Sequence, residues 1–190
     1  MCQQLRIWEG EGERALQVAV TISPVQLAAP SLVKDILAVV GQYQVDPAHI
    51  MLEITESAAM SDAELTHATI DKLKAAGFML AIDDFGTGYS SLSYLQEFGI
   101  HQLKVDRAFI HALSKGDGKG YAVVSAIIGL AHALGLEVVA EGVETVDQLN
   151  VLKGLQCDRI QGYLLGTPMP SGELLRLAER PAAAPVNSGH

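Results

Sequence analysis

Asp83 and Asp84 stand side by side where an apolar run, Met79-Leu80-Ala81-Ile82, gives way to Phe85-Gly86-Thr87-Gly88-Tyr89-Ser90. Adjacent carboxylates at a strand end cost several kcal/mol to bury, roughly, unless a cation or a set of donors compensates. Both offer oxygen to hard divalent cations such as Mg²⁺ or Mn²⁺. The glycines permit positive φ and a close backbone approach to a ligand. Asp-Asp before Gly-x-Gly is also ordinary turn chemistry, so the pair must be weighed with the rest of the chain.

Other strand ends carry matching groups. Glu53 closes an apolar run at His49–Ile54, Lys104 sits in Gln102–Val105, Glu141 ends Glu137–Glu141, and Gln161 lies in Arg159–Tyr163. Glu53, Asp83, Asp84 and Glu141 come from three strands and can converge on one metal shell. Two-metal hydrolases hold cations about 3.5–4 Å apart to clamp the attacking and leaving oxygens of a phosphodiester. Lys104 can stabilise a hydroxide or developing phosphorane charge, or pair with one of the acids. Thr145 reads as a helix N-cap, and Glu144 serves either as an acid near that cap or as a ligand. Glu56 and Ser57 are divided in the same way. Asp106 and Arg107 form a candidate surface pair, and Phe85, Tyr89 and Phe109 are packing residues. His49, His67, His101, His111, His132 and His190 show no metal-ligand spacing.

The elements that must position these groups alternate. Strands are expected at Leu16–Ile22, His49–Ile54, Met79–Asp83, Gln102–Val105, Glu137–Glu141 and Arg159–Tyr163. Helices are expected at Val25–Val40, stopped by Gly41, and at Ser61–Ala76, where Ser61 and Glu64 form a capping box. Ser90–Phe98, Tyr121–Leu134, Thr145–Gln156 and Gly172–Glu179 complete the set, with a polar Gly-rich loop at Ala112–Gly120. Six alternations imply parallel strands with crossover helices. No Gly-rich nucleotide fingerprint follows the first strand, which weakens an open doubly wound sheet. A barrel gathers the C-terminal strand ends on one face and builds its site there. The fold class is therefore α/β, a (β/α)₈ TIM-barrel type, incomplete, with about six of the eight strands present. Residues 1–12 read as the remnant of a preceding helix, 13–180 as the barrel domain, and 181–190 as a disordered Ala/Pro-rich tail.

Bulk properties narrow the function. The chain has 190 residues, 49% apolar, with a net charge of −9. That is enough apolar content for one sizeable core, and the wrong sign for a nucleic-acid polymer. No apolar run approaches a membrane span and no signal-peptide pattern opens the chain. Cys2 and Cys157 read as reduced thiols, so a cytoplasmic location is expected.

Taken together, the runs Leu52-Glu53-Ile54-Thr55-Glu56-Ser57, Asp83–Leu92, Leu103–Ile110, Ala140-Glu141-Gly142-Val143-Glu144-Thr145 and Gln161-Gly162-Tyr163-Leu164 resemble the EAL-domain family, the cyclic di-GMP phosphodiesterases of bacterial signalling. The likeness runs from about Leu16 to Pro170. It implies a (β/α)₈-type barrel with an antiparallel first strand. It also implies two Mg²⁺ or Mn²⁺ ions that open cyclic di-GMP to linear pGpG. By the same resemblance, Glu53, Asp83, Asp84 and Glu141 are metal ligands and Lys104 holds the nucleophilic water. Gln161 lies near that water, and Glu144 anchors the loop Asp84–Leu92, which couples the site to dimerisation.

Two departures shape the expectation. The strand with the family's Glu-Ala-Leu motif is not in this sequence, nor is the arginine that follows it. Thr21 stands where the family carries an asparagine ligand, and a hydroxyl is shorter and a poorer ligand than an amide carbonyl. Since even outer-shell changes cost about 10–100-fold in metal affinity, little or no phosphodiesterase activity is expected from this chain alone, and tight cyclic di-GMP binding is in doubt. The alternatives are a degenerate, non-catalytic EAL module working by ligand binding or protein contacts, and a fragment left by proteolysis or gene decay. An open barrel edge next to Val18–Ile22 should be covered by a second copy or a partner chain.

Overall fold

The structure, a computed structural model, describes residues 1–10, 16–61, 63–86, 92–115 and 118–178. Among them one sheet of six parallel strands runs in sequence order: β1 (Val18–Ile22), β2 (Ile50–Thr55), β3 (Met79–Phe85), β4 (Gln102–Val105), β5 (Glu137–Ala140) and β6 (Arg159–Ile160). Each strand returns to its neighbour through helix, as parallel pairing requires. The expected α/β architecture of six strands is what forms. Among the described residues β1 pairs with β2 alone, which puts Val18–Ile22 at the edge of this sheet.

Side chains alternate across each strand. One face carries Ile54, Leu80, Ile82, Leu103, Val138 and Ala140 into a core covered by helices, with Phe78 and Phe98 fully buried. The other carries Glu53, Asp83 and Lys104, and at the strand ends these three meet. Helix α1 (Cys2–Gly10) packs on the same core through Cys2, Leu5 and Trp8.

Several boundaries differ from the sequence expectation for physical reasons. The expected helix Val25–Val40 is two helices, α2 (Pro24–Leu27) and α3 (Leu32–Tyr43). Pro30 lies between them, and the residue before a proline disfavours helical backbone. α2 opens with a capping box between Ser23 and Gln26. α3 passes through Gly41 and stops at Gln44, whose φ of 53° is left-handed. The expected helix from Ser61 is also divided. Ser61 ends α4 (Glu56–Ser61), and its hydroxyl donates to the Ala58 carbonyl at 2.9 Å rather than capping α5 (Ala63–Ala75). The side chain of Glu64, its expected partner, lies outside the described residues.

The next helix is α6 (Leu92–Phe98), with residues 87–91 outside the described set. An additional helix, α7 (Arg107–Ala112), follows β4 directly. It is short, and Asp106 caps it by accepting the Ala108 N–H at 2.8 Å, the cue that marks its start. α8 (Lys119–Ala133) begins inside the expected loop. α9 (Val146–Gly154) is capped by Thr145, as expected, with Gln148 closing the box. β6 stops at Ile160, leaving Gln161–Tyr163 as irregular chain at the strand end, and α10 (Ser171–Ala178) follows. The tail 181–190 lies outside the described residues.

Candidate active site

Lys104 is the hub of the strand ends. Its Nζ lies 2.7 Å from Glu141, 2.8 Å from Glu53 and 3.1 Å from Asp83. β4 places it between β3, which carries Asp83, and β5, which leads into Glu141; Glu53 reaches in from β2. Burial would push the ammonium down, but hydrogen bonds and charge from Glu141 and Glu53 outweigh it and hold Lys104 above the usual lysine range. Burial pushes the Glu141 carboxyl up; Lys104 opposes that shift while Asp83 and Glu53 add to it.

Asp84 continues the cluster. Its φ of 55° is left-handed, a backbone that Asp tolerates better than most residues, and such strain gathers at functional sites. The β3–β4 register shifts between Ile82 and Phe85, so the two carboxylates break the regular ladder. The Asp84 N–H donates to Asp83 Oδ1 at 3.0 Å. Burial raises the Asp84 carboxyl, and the charges of Asp83 and Asp106 raise it further against the pull of Lys104.

Asp83, Asp84 and Glu141 each offer an oxygen within 4.8 Å of the others. With Glu53 the site holds four carboxylates against one ammonium. Such an excess of buried negative charge is stable only with added cation or proton. The donor set is all oxygen, the chemistry of Mg²⁺ or Mn²⁺. The residues present therefore fit a divalent site.

Thr21 faces the same space from β1, where its hydroxyl donates to Glu53 Oε2 at 3.2 Å. Gln161 follows β6 and lines a hollow with Glu141. Glu144 is exposed, with its carboxylate 3.6 Å from His111 Nε2. Among the described residues, Glu56, a buried carboxylate, accepts the Gly86 N–H of the glycine turn at 2.9 Å. The remainder of the expected loop, Thr87–Ser91, lies outside the described residues.

Sequence reasoning undervalued Glu56 and Asp106. Asp106 carried a usable signal: it lies two residues beyond Lys104, and period two puts both on one face of an extended chain. Glu56 carried none, because only the fold brings α4 beneath Gly86. Gly86 has φ 97°, and a Cβ there would lie 2.7 Å from the Phe109 ring. The turn is thus packed against Phe109 of α7 and held by Glu56 of α4.

A family model described as the EAL domain matches residues 1–168. The bifunctional diguanylate cyclase/cyclic di-GMP phosphodiesterase MucR of Pseudomonas aeruginosa is 44% identical over 174 residues, covering 92% of this chain and 25% of that protein. The cyclic di-GMP phosphodiesterase NbdA of the same organism is 39% identical over 190 residues, covering 98% of this chain and 24% of its own. The chain thus spans about a quarter of the length of these relatives. Among solved structures, the PaMucR phosphodiesterase in complex with c-di-GMP superposes with a TM-score of 0.88 at 43% identity, covering 91% of this chain and 70% of that one. A manganese/cy-diGMP complex of Klebsiella pneumoniae BlrP1 gives 0.77 at 27% identity, covering 90% and 43%.

Proposed function

Because the chain belongs to the EAL domain family, we propose that it is a metal-dependent cyclic di-GMP phosphodiesterase unit, opening the cyclic dinucleotide to linear pGpG. The carrying observation is the convergence of Glu53, Asp83 and Glu141 on Lys104 at 2.7–3.1 Å, with Asp84 adjoining. Glu53, Asp83, Asp84 and Glu141 would hold Mg²⁺ or Mn²⁺. Bound there, the ions would supply Lewis-acid polarisation of the phosphodiester and a nucleophile at neutral pH.

The chain's own groups do the rest. Lys104, kept charged by its partners, holds the attacking water and offsets negative charge developing on phosphorus. Glu141, hydrogen-bonded to Lys104, lies beside the place of that water and helps to position it. Gln161 orients the water from the far side of Glu141. Glu144 is proposed to anchor the loop Asp84–Leu92. The two free thiols suit a cytoplasmic setting, and among the described residues no helix is long and apolar enough to cross a membrane.

Thr21 supports a second reading, a non-catalytic EAL module that binds cyclic di-GMP or a protein partner. Its hydroxyl donates to Glu53 rather than presenting a carbonyl oxygen to a metal. One experiment separates the two: turnover of cyclic di-GMP in excess Mn²⁺, following the linear product by chromatography. The phosphodiesterase reading expects product that Asp83→Asn abolishes and Thr21→Asn increases. No product from the parent chain or from Thr21→Asn moves the assignment to the binding module.

A further inference from the structure

We propose that Gln148 is a positioning residue for the divalent-metal site. Its buried amide locks the loop that begins at Glu141 to the helix that supports the turn after Asp83 and Asp84, and so sets the spacing of those carboxylates. This rests on the phosphodiesterase reading and adds to it a residue outside the carboxylate cluster. Gln148 lies in the first turn of α9 and is 4% exposed. An amide oxygen can accept twice and an amide NH₂ can donate twice, and Gln148 uses all four. Its Oε1 accepts the Glu144 N–H at 2.8 Å and the Thr145 N–H at 3.1 Å. Its Nε2 donates to the Ile110 carbonyl at 3.4 Å and to Ser114 Oγ at 3.3 Å.

Capping of α9 explains only part of this. A capping box needs the bond to the Thr145 N–H, and the other three bonds reach beyond it. Glu144 lies in the loop before the cap. Ile110 is in α7, and Ser114 is in the 3₁₀ turn Leu113–Lys115 that follows it. One side chain therefore ties the chain after β5 to the chain after β4.

Both sides of the tie lead to metal-site carboxylates. On one side, the Glu141 N–H donates to the Val105 carbonyl at 3.1 Å and the Val143 N–H to the Gln161 carbonyl at 3.0 Å, so the sheet end holds the start of the loop. Gln148 holds its end. On the other side, α7 carries Phe109 against Gly86, in the turn that follows Asp83 and Asp84. Loop and helix also touch at Gly142, where φ is 68° and a Cβ would lie 2.6 Å from the Arg107 Cβ. Gly142 is a steric contact, which can slide, whereas a fully satisfied buried amide fixes direction as well as distance. With Gln148 in place, Glu141 keeps its oxygen within 4.8 Å of those of Asp83 and Asp84. Groups that orient metal ligands from outside the ligand shell commonly govern affinity.

The test is calorimetric titration with Mn²⁺ alone of wild type, Gln148→Glu and Gln148→Met. Gln148→Glu separates the tie from the cap, because glutamate serves as well in a capping box but has no N–H for Ile110 or Ser114. Its added negative charge favours a cation, so a loss of affinity cannot come from charge. Both variants should bind Mn²⁺ about tenfold or more weakly than wild type, the scale of changes outside the ligand shell. Coupling is reciprocal, so Mn²⁺ should slow hydrogen exchange at the Glu144 and Thr145 amides of wild type, a readout that needs no variant to fold. Full Mn²⁺ affinity in Gln148→Glu, or exchange at those amides that Mn²⁺ leaves unchanged, would make Gln148 a cap only and overturn this inference alone. No Mn²⁺ binding by wild type overturns the phosphodiesterase reading with it.

Discussion

A single ammonium holding three carboxylates is an asymmetric arrangement. Removing Lys104 leaves Glu53, Asp83 and Glu141 facing one another with no cation, whereas adding divalent metal would supply one. Lys104→Met should therefore destabilise the fold by about 3–5 kcal/mol, the usual cost of breaking a buried ion pair from one side. The check is urea denaturation with and without Mn²⁺: the ion should stabilise Lys104→Met more than wild type. Equal stabilisation would mean that the ion binds elsewhere. Thr21 belongs to the same set of bonds, since its hydroxyl steadies one oxygen of Glu53 while Lys104 takes the other.

The elements impose their own constraints. The turn after β3 works because Gly86 has φ 97° and no side chain to strike Phe109 on α7. Gly86→Ala is expected to cost about 1–3 kcal/mol from backbone strain and contact together. Adding Phe109→Leu should recover the contact part and leave the strain, a partition that thermal melts of the two variants measure.

The β3–β4 junction is sensitive to pH. His101 accepts the Leu80 N–H at its ring Nδ1 at 3.1 Å, while its backbone N–H donates to the Leu80 carbonyl at 2.9 Å. Burial, and then the charge of Lys74, hold its pKa below the ordinary value of 6.5. The unfolded chain thus takes up a proton before the folded one does. The stability from neutral His101 is complete above about pH 6.5 and falls as pH drops through the lowered folded pKa. Denaturation midpoints should decline from pH 7.5 to 5.5, and His101→Asn should flatten that decline. An equal slope in the variant would assign the effect to another group. Asp158 acts at lower pH: burial raises its carboxyl, but the hydrogen bonds from His132 and the Val138 N–H, with the charge of His132, together outweigh this and lower it, so its contribution disappears only as pH falls below the ordinary Asp range.

At the scale of the molecule, assembly turns on the first edge of the sheet. Among the described residues β1 pairs with β2 alone, and an apolar cavity of about 340 Å³ beside it is lined by Val20, Ile22, Ile36, Val40 and Leu52 among others. An exposed strand edge beside apolar surface invites pairing with another chain. The expectation is self-association of this chain through β1, which sedimentation at rising concentration would detect. Ala19→Lys, which sets a charge on an exposed β1 position, should reduce it. Monomers at every concentration in both forms would leave the edge uncovered and refute the second copy.

Much of this was legible before any coordinates. Strand alternation, the acids at strand ends and Thr145 as a cap all follow from local rules: period-two burial, apolar runs and side-chain oxygens at helix starts. These depend on neighbours in sequence, and sequence carries them. The break at Pro30 was equally local, and was missed only because the apolar spacing on either side is continuous. Other features depended on distance in sequence but not in space. Glu56 beneath Gly86, Asp106 beside Asp84, and Arg107 brought against Gly142 are made by parallel strands that set remote loops on one face. No periodicity encodes which acid will hold a backbone N–H and which will hold a metal. Burial, charge balance and the positive φ of Asp84 assign those roles, and they exist only once the sheet has formed.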